Sequence, residues 1–225
     1  MTQENKTMAD IKQDHCDQQK PKLLALISSG IDSPVAVWKM KQKGFEVLGV
    51  HFSNEPFTDP SPEEKTKKLC GMLGIKKLYV IKHGFLVQSE LMRHCENKMR
   101  CVLCRRFMFK ISSRIAELEG CEYLVTGENL AQVASQTLSN LTVSNQASKI
   151  PILRPLLCFD KIEIINIAKK IGTYETSIEA SMCCNAVPKN PVTKSNILFV
   201  EREEAKVDVK GIINKAIDDA KIFEL

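Results

Sequence analysis

Five consecutive apolar residues, Leu23-Leu24-Ala25-Leu26-Ile27, run directly into a turn of small polar residues, Ser28-Ser29-Gly30-Ile31-Asp32-Ser33. Pro34 and Val35-Ala36-Val37-Trp38-Lys39-Met40 follow. This order predicts a buried strand, a tight polar turn and a helix with proline in its first turn. Small residues let the backbone curl close to a ligand. The amides of such a turn, with the first amides of the helix, form a cradle for phosphate oxygens. Ser28, Ser29 and Ser33 add hydroxyl donors. Asp32 is the odd member, because an acid beside phosphate repels it. Its presence points to a bridging metal ion or to a structural role in holding the turn. A Walker-type loop would carry G-x-x-x-x-G-K-[ST], with a lysine for the terminal phosphates, and no lysine stands here. The ligand-free alternative is a serine N-cap turn.

Periodicity along the chain predicts an alternation of strands and helices. Helices are expected from Pro34 to Lys43, from about Glu63 to Gly74, over Phe85 to Met99, from near Cys104 to Glu119, over Gln132 to Leu138, from Asp160 to Ile171, and over Val207 to Phe223. Strands are expected at Glu46–Phe52, Lys77–Ile81 and Tyr123–Val125, with Pro151–Leu156 irregular or extended. Such alternation predicts an α/β fold, a parallel twisted sheet with helices on both faces. Ligands in such folds sit at the carboxyl ends of the strands. Ser28–Ser33, His51–Phe52 and Thr126–Glu128 all fall there.

With 225 residues the chain suffices for one large α/β domain or two small ones. No apolar run reaches membrane-spanning length. The opening residues are polar and mixed in charge, which predicts a disordered tail over 1–21 and no secretory signal. The net charge of +5 is compatible with RNA binding without establishing it. Nine cysteines, an odd number without a signal, argue against a secreted disulfide scaffold and for a reducing cytoplasm.

The turn resembles the PP-loop of the ATP pyrophosphatases, whose usual form is S-G-G-x-D-S. Ser29 stands where that family has glycine, at a cost of about 1 kcal/mol if the backbone there were strained. A second group is more specific. Gly127-Glu128-Asn129-Leu130-Ala131-Gln132-Val133-Ala134-Ser135-Gln136-Thr137 is similar to a segment of the tRNA 4-thiouridine synthases (tRNA sulfurtransferases, ThiI-like). Leu153-Arg154-Pro155-Leu156, Asp160-Lys161-x-Glu163-Ile164, Ile171-Gly172-Thr173-Tyr174 and Val187-Pro188-Lys189-Asn190-Pro191-Val192-Thr193 continue the resemblance. Val50-His51-Phe52 and Pro56-Phe57-Thr58 belong to it as well. It covers about Lys22 to Thr193, which sets a catalytic domain at 22–195 and a helical extension packed on it at 196–225. The resemblance implies a THUMP region before the loop in full-length relatives; neither that region nor a rhodanese domain is expected here.

The resemblance implies that ATP adenylates the carbonyl oxygen of uridine 8 in tRNA, and that sulfur then displaces AMP. Mg²⁺ is implied with the ATP. By motif match, Ser28, Ser29, Gly30, Asp32 and Ser33 take the phosphates, with Asp32 also catalytic. His51 and Phe52 border the adenosine, and Gly127 and Gln132 lie near the nucleotide or the target base. Arg154 contacts phosphate, or else pairs with an acid such as Glu128. Partners implied are tRNA, captured through a separate THUMP-containing protein, and a second copy in a homodimer; no membrane is expected.

Cys101-Val102-Leu103-Cys104-Arg105-Arg106 sets two thiols at C-x-x-C spacing at a helix start, where amides and the two arginines would favour thiolate. Cys184 occupies the position of the family's essential cysteine. Three readings stay open. Cys101, Cys104 and Cys184 ligate an iron–sulfur cluster with an open iron, as the archaeal-type members imply. Cys184 holds a persulfide resolved by another cysteine, with Cys183 able to take its place. Or the thiols bind zinc, with Cys95, Cys183 or His94 as fourth ligand. Cys16, Cys70, Cys121 and Cys158 are read as structural. His83, His94 and the Lys65-Lys67-Lys68 and Lys76-Lys77 groups are read as surface residues. The rivals are the same chemistry on a small molecule, as in a thiamine precursor route, and a non-catalytic ATP- or metal-binding subunit.

Overall fold

The computed structural model describes residues 20–130, 132–182 and 184–225. The expected tail up to residue 19, with Cys16, and the alternative thiol Cys183 lie outside the described residues. In chain order the elements are β1 (Lys22–Leu26), α1 (Asp32–Gln42), β2 (Glu46–Phe52), α2 (Ser61–Met72), β3 (Lys77–Ile81), a π-helical turn (Gly84–Gln88), α3 (Ser89–His94), a 3-10 turn (Asn97–Met99) and α4 (Arg100–Glu119). There follow β4 (Tyr123–Thr126), a 3-10 turn (Ala134–Gln136), α5 (Leu138–Asn145), β5 (Ile152–Leu153), α6 (Lys161–Lys170), α7 (Tyr174–Ile178), α8 (Ile197–Glu204), α9 (Val209–Asp218) and β6 (Lys221–Glu224).

The six strands form one sheet in the order β5-β4-β1-β2-β3-β6. The first five run parallel, in register Leu24 with Leu48 and Leu124, and Val50 with Tyr79. Strand side chains alternate between two cores. Leu24, Leu26, Val50, Ile81 and Leu124 face α4, whose Phe107 and Ile111 are fully buried. Leu23, Ala25, Ile27, Val80 and Val125 face α1, α2 and α6. Every strand residue from Leu23 to Leu26 is buried on one side or the other, which is why β1 reads as an uninterrupted apolar run.

Local signals end the helices as their sequences predict. Gly44 and Gly120 adopt left-handed φ values of 88° and 67° after α1 and α4. Asp160 and Glu163 form a reciprocal capping box at α6.

Four expectations differ. The Phe85–Met99 segment is no continuous helix: a π turn opens it and Cys95 is extended, so α4 begins at Arg100 rather than near Cys104. Gln132–Leu138 is a 3-10 turn followed by Thr137 as N-cap of α5. The buried Asn140 side chain ties that turn to Ala134 O (2.6 Å) and Val192 O (2.8 Å), so Gln132, Ser135 and Gln136 do not share a helical face. The C-terminal helix stops at Asp218, and Lys221–Glu224 pairs antiparallel with the open edge of β3, Leu78 opposite Phe223. The extension thus completes the sheet. Lys65 is buried, its ammonium donating to Ser177 O, Glu179 O and Ser181 Oγ at 3.2, 2.6 and 3.3 Å.

Candidate active site

Leaving β1, the chain builds β2 and β3 on one side and β4 and β5 on the other. The crevice between the carboxyl ends of β1 and β4 is therefore the place where such a sheet accepts a ligand. A cavity of about 410 Å³ opens there, bordered by the Ser28–Ser33 turn, His51, Phe52, Gly127, Glu128 and Cys184.

The turn is knitted by its own hydroxyls. Ser28 N donates to Ser33 Oγ (2.9 Å), the two hydroxyls lie 3.1 Å apart, and Gly30 N approaches Ser28 Oγ at 3.4 Å. Gly30 does not take a left-handed φ. The turn runs into α1, whose first amides and dipole add positive potential. The lysine missing from the turn arrives from elsewhere: Lys161, first residue of α6, sets Nζ 2.5 Å from Asp32 Oδ1. The pair keeps a cation beside the cradle and offsets the charge of Asp32.

Gly127 closes the other wall. A Cβ there would lie 2.6 Å from Ser33 N, 2.7 Å from Ser33 Cα and 2.8 Å from Asp32 C. The end of β4 is thus pressed against the backbone of the cradle, an approach open to glycine alone.

His51 is buried, and burial depresses its pKa. Its Nδ1 lies 3.1 Å from Ile27 O, so the neutral ring carries its proton there and donates to that carbonyl. Nε2 is then a lone-pair acceptor on the cavity wall, buried and without a partner among the described residues. It suits an amino group of a base. Glu128, almost fully buried, is held between Arg154 Nε (2.8 Å) and Arg105 Nε (3.3 Å).

A second cavity, of about 160 Å³, is lined by Cys101, Cys104, Cys184 and Gln88 and shares Cys184, Arg105 and Asn54 with the first. The three thiols anticipated from sequence therefore meet at one place, next to the cradle. Their ionisation differs from expectation. Burial raises Cys104 to about 12 and also raises Cys101, outweighing Arg100 and Arg105. Arg106 turns away to Glu204 and Val143 O. Desolvation is the larger effect and favours the neutral thiols, which a bound cation or donors on the sulfur would offset.

Among the described residues no three Cys, His, Asp or Glu side chains stand close enough to share one metal ion. A tetrahedral zinc site, with sulfurs about 2.3 Å from a single ion, does not fit them. Cys95 Sγ is directed to Glu203 O and His94 to Glu90. An iron–sulfur cluster spreads its thiolates over several irons, and three thiols opening on one cavity are a matching donor set.

The remaining expected residues fall apart from this centre. Gln132 is exposed and borders neither cavity. Arg154 is engaged by Glu128 and by Asn145 Oδ1 (3.1 Å). His83 is fully buried, not a surface residue, because the chain folds it under Phe52, ring centroids 5.2 Å apart. Cys70 and Cys121 lie in the core, with burial raising them to about 12 and about 11, and Cys158 is exposed. Sequence reasoning placed Arg105 only beside the thiols and gave no site role to Gln136, which with Arg105 borders the main cavity, or to Lys161. All three lie inside segments already singled out, but only contacts between distant segments reveal them.

The chain was compared with known proteins. A family profile described as "Thiamine biosynthesis protein (ThiI)" matches residues 18–209. A probable tRNA sulfurtransferase of Alkaliphilus metalliredigens is 44% identical over 207 residues, covering 89% of this chain and 53% of that protein. One from Methanosarcina mazei is 35% identical over 210 residues, covering 91% and 52%. The chain spans about half the length of the curated relatives it matches. A crystal structure of a 4-thiouridine synthetase–RNA complex with bound ATP superposes with TM-score 0.85 at 37% identity, over 90% of this chain and 55% of that one. NMN synthetase from Francisella tularensis, at 12% identity and TM-score 0.55 over 88% of this chain and 84% of that one, shares the fold alone. With most of its length inside the profile, and its cradle, cavity and thiols within the matched region, the chain belongs to the ThiI family.

Proposed function

We propose that this chain is an ATP-dependent sulfurtransferase that replaces the 4-carbonyl oxygen of uridine 8 in tRNA with sulfur. The observation that carries the reading is the continuity of the two cavities: Cys184 borders both, between the phosphate cradle and the C-x-x-C thiols. The names of the sulfurtransferase relatives and of the ATP- and RNA-bound synthetase support it.

The triphosphate lies in the Ser28–Ser33 turn, against its amides, the Ser28 and Ser33 hydroxyls and the start of α1. Lys161 faces the phosphates with Asp32 as its counter-ion. His51 Nε2 and Phe52 border the adenine. The uridine oxygen attacks the α-phosphorus, an oxygen–phosphorus bond forms, and pyrophosphate leaves with the electron pair of the broken bond. The aligned donors and Lys161 stabilise the charge that develops on it, each such donor being worth about 10²–10³ in rate. Sulfur presented from the Cys184 side adds to the activated carbon, and AMP departs with the former carbonyl oxygen. Mg²⁺, held by the phosphates with Asp32 nearby, would neutralise triphosphate charge. Cys101, Cys104 and Cys184 would hold an iron–sulfur cluster, which would supply binding for the sulfide. A THUMP-containing protein delivers the tRNA, and the domain works as a homodimer.

The test supplies purified chain with ATP, Mg²⁺, sulfide and unmodified tRNA, with and without a THUMP-containing protein, and reads pyrophosphate and thiouridine. Thiolated tRNA, lost on Asp32→Ala, is the expected result. Pyrophosphate release with no thiolation of any tRNA refutes the tRNA reading. The family description favours one other acceptor, a thiamine precursor, and thiolation of it alone would replace tRNA as substrate.

A further inference from the structure

Two buried polar side chains have no part in the scheme above, and both are aimed at one sulfur. Gln88 Nε2 lies 2.9 Å from Cys104 Sγ and His83 Nε2 lies 3.1 Å from it. His83 is 0% exposed and Gln88 5%. Their other polar atoms, His83 Nδ1 and Gln88 Oε1, are buried without partners among the described residues. Neither side chain makes any other hydrogen bond among the described residues, so the sulfur is what they serve.

The backbone between them explains how both reach it. His83 caps, and Gln88 ends, the π-helical turn Gly84–Gln88. Residues five apart diverge by about 140° around an α-helix, but a π turn stacks them. The turn is held by close packing: a Cβ on Gly84 would lie 2.3 Å from Glu55 O and 2.4 Å from Asn54 O. Glycine is what allows the wider turn to form against that segment.

We propose that His83 and Gln88 are positioning residues that hold Cys104 Sγ as an anionic ligand of the sulfur-carrying group, each donating an N–H to it. His83 carries its proton on Nε2, leaving Nδ1 as the unpartnered lone pair. A neutral thiol accepts hydrogen bonds weakly, whereas a thiolate accepts several. Two buried donors on one sulfur are matched to the anion. Cys101 and Cys184 have no such donors among the described residues, so Cys104 is the fixed ligand of the three. Such outer partners govern metal retention and cluster potential.

The inference rests on the cluster reading of the proposed function, and two measurements separate them. The first needs no cluster: ¹⁵N spectra of metal-free protein labelled at histidine, with His83→Phe to assign the signal. The Nε2–H tautomer, already donating to Sγ while Cys104 is still a thiol, is expected, and Nδ1–H, which makes Nε2 an acceptor of the thiol proton, overturns the inference. The second reconstitutes the full chain with iron and sulfide. Gln88→Leu, His83→Phe and the isosteric Gln88→Glu should each lose iron to a chelator about tenfold faster or more. The midpoint potential should move negative, about 59 mV for each tenfold change in a one-electron equilibrium. Ser112→Ala, a buried change elsewhere on α4, should match wild type. If wild type takes up no iron, the cluster reading falls and the ligand role of Cys104 falls with it, whatever the tautomer. If wild type loads and the Gln88 variants retain iron at its rate and potential, the inference is wrong.

Discussion

Gly127→Ala tests how closely the two walls of the crevice must meet. The added Cβ would stand 2.6–2.8 Å from three backbone atoms of Asp32 and Ser33. Backbone at a helix start does not yield as a side-chain tip would. Carbon contacts become comfortable only at about 3.5 Å, so the end of β4 must retreat from the cradle by about 1 Å. A displacement of that size between reacting groups costs about 100-fold in rate. The same overpacking costs about 1–3 kcal/mol in stability. Pyrophosphate release at saturating ATP should therefore fall by about two orders of magnitude. Urea unfolding should show a folded protein with a modest loss. Gly71→Ala is the control: it sits within α2 with nothing within 4 Å of the new Cβ, and should gain about 0.5–1 kcal/mol without changing turnover. Turnover by Gly127→Ala within twofold of wild type would refute the reasoning.

Lys161→Met should lower ATP turnover at least tenfold, while stability moves by less than about 1 kcal/mol because the Asp32 pair is partly exposed; a large unfolding shift with unchanged kcat would contradict this. Glu204→Ala strands the buried Arg106, which Glu204 holds through Nε (3.1 Å) and Nη2 (2.9 Å), and should cost about 3–5 kcal/mol by urea denaturation; a loss below about 1 kcal/mol would show the pair is dispensable. Burial lowers His83 from the usual 6.5 to about 3, so below about pH 6.5 the unfolded chain takes up a proton that the folded chain refuses. Stability of the metal-free protein should fall as pH drops from 6.5 towards 3, by up to about 1.4 kcal/mol per pH unit from this residue. His83→Phe should flatten that slope, and identical urea midpoints at pH 7 and pH 5 in wild type would exclude the effect.

What could be read directly from the chain was local in origin. The Leu23–Ile27 run, the small-residue turn and Pro34 announce strand, cradle and helix because each signal acts within a few residues. Glu46–Phe52 and Lys77–Ile81 have their expected bounds, since strands buried on both faces are written as unbroken apolar runs. The capping box at Asp160 and the C-x-x-C at the head of α4 are local in the same sense. Tertiary packing decided the rest. Lys161 reaches Asp32 across 129 residues of sequence. Gln136 rather than Gln132 borders the cavity because Asn140 pins the preceding turn to a distant segment. β6 exists because β3 offers an unpaired edge, which outweighs the helical pattern of its own residues. Burial raises the Cys101 and Cys104 thiols because desolvation, a property of the folded interior, exceeds the pull of the neighbouring arginines. His83, polar and short of local signals, is buried because a π turn packed on the Asn54–Glu55 backbone carries it under Phe52 and onto Cys104. Spacing along a chain encodes which groups are available, and only long-range packing sets which of them share a cavity and in what charge state.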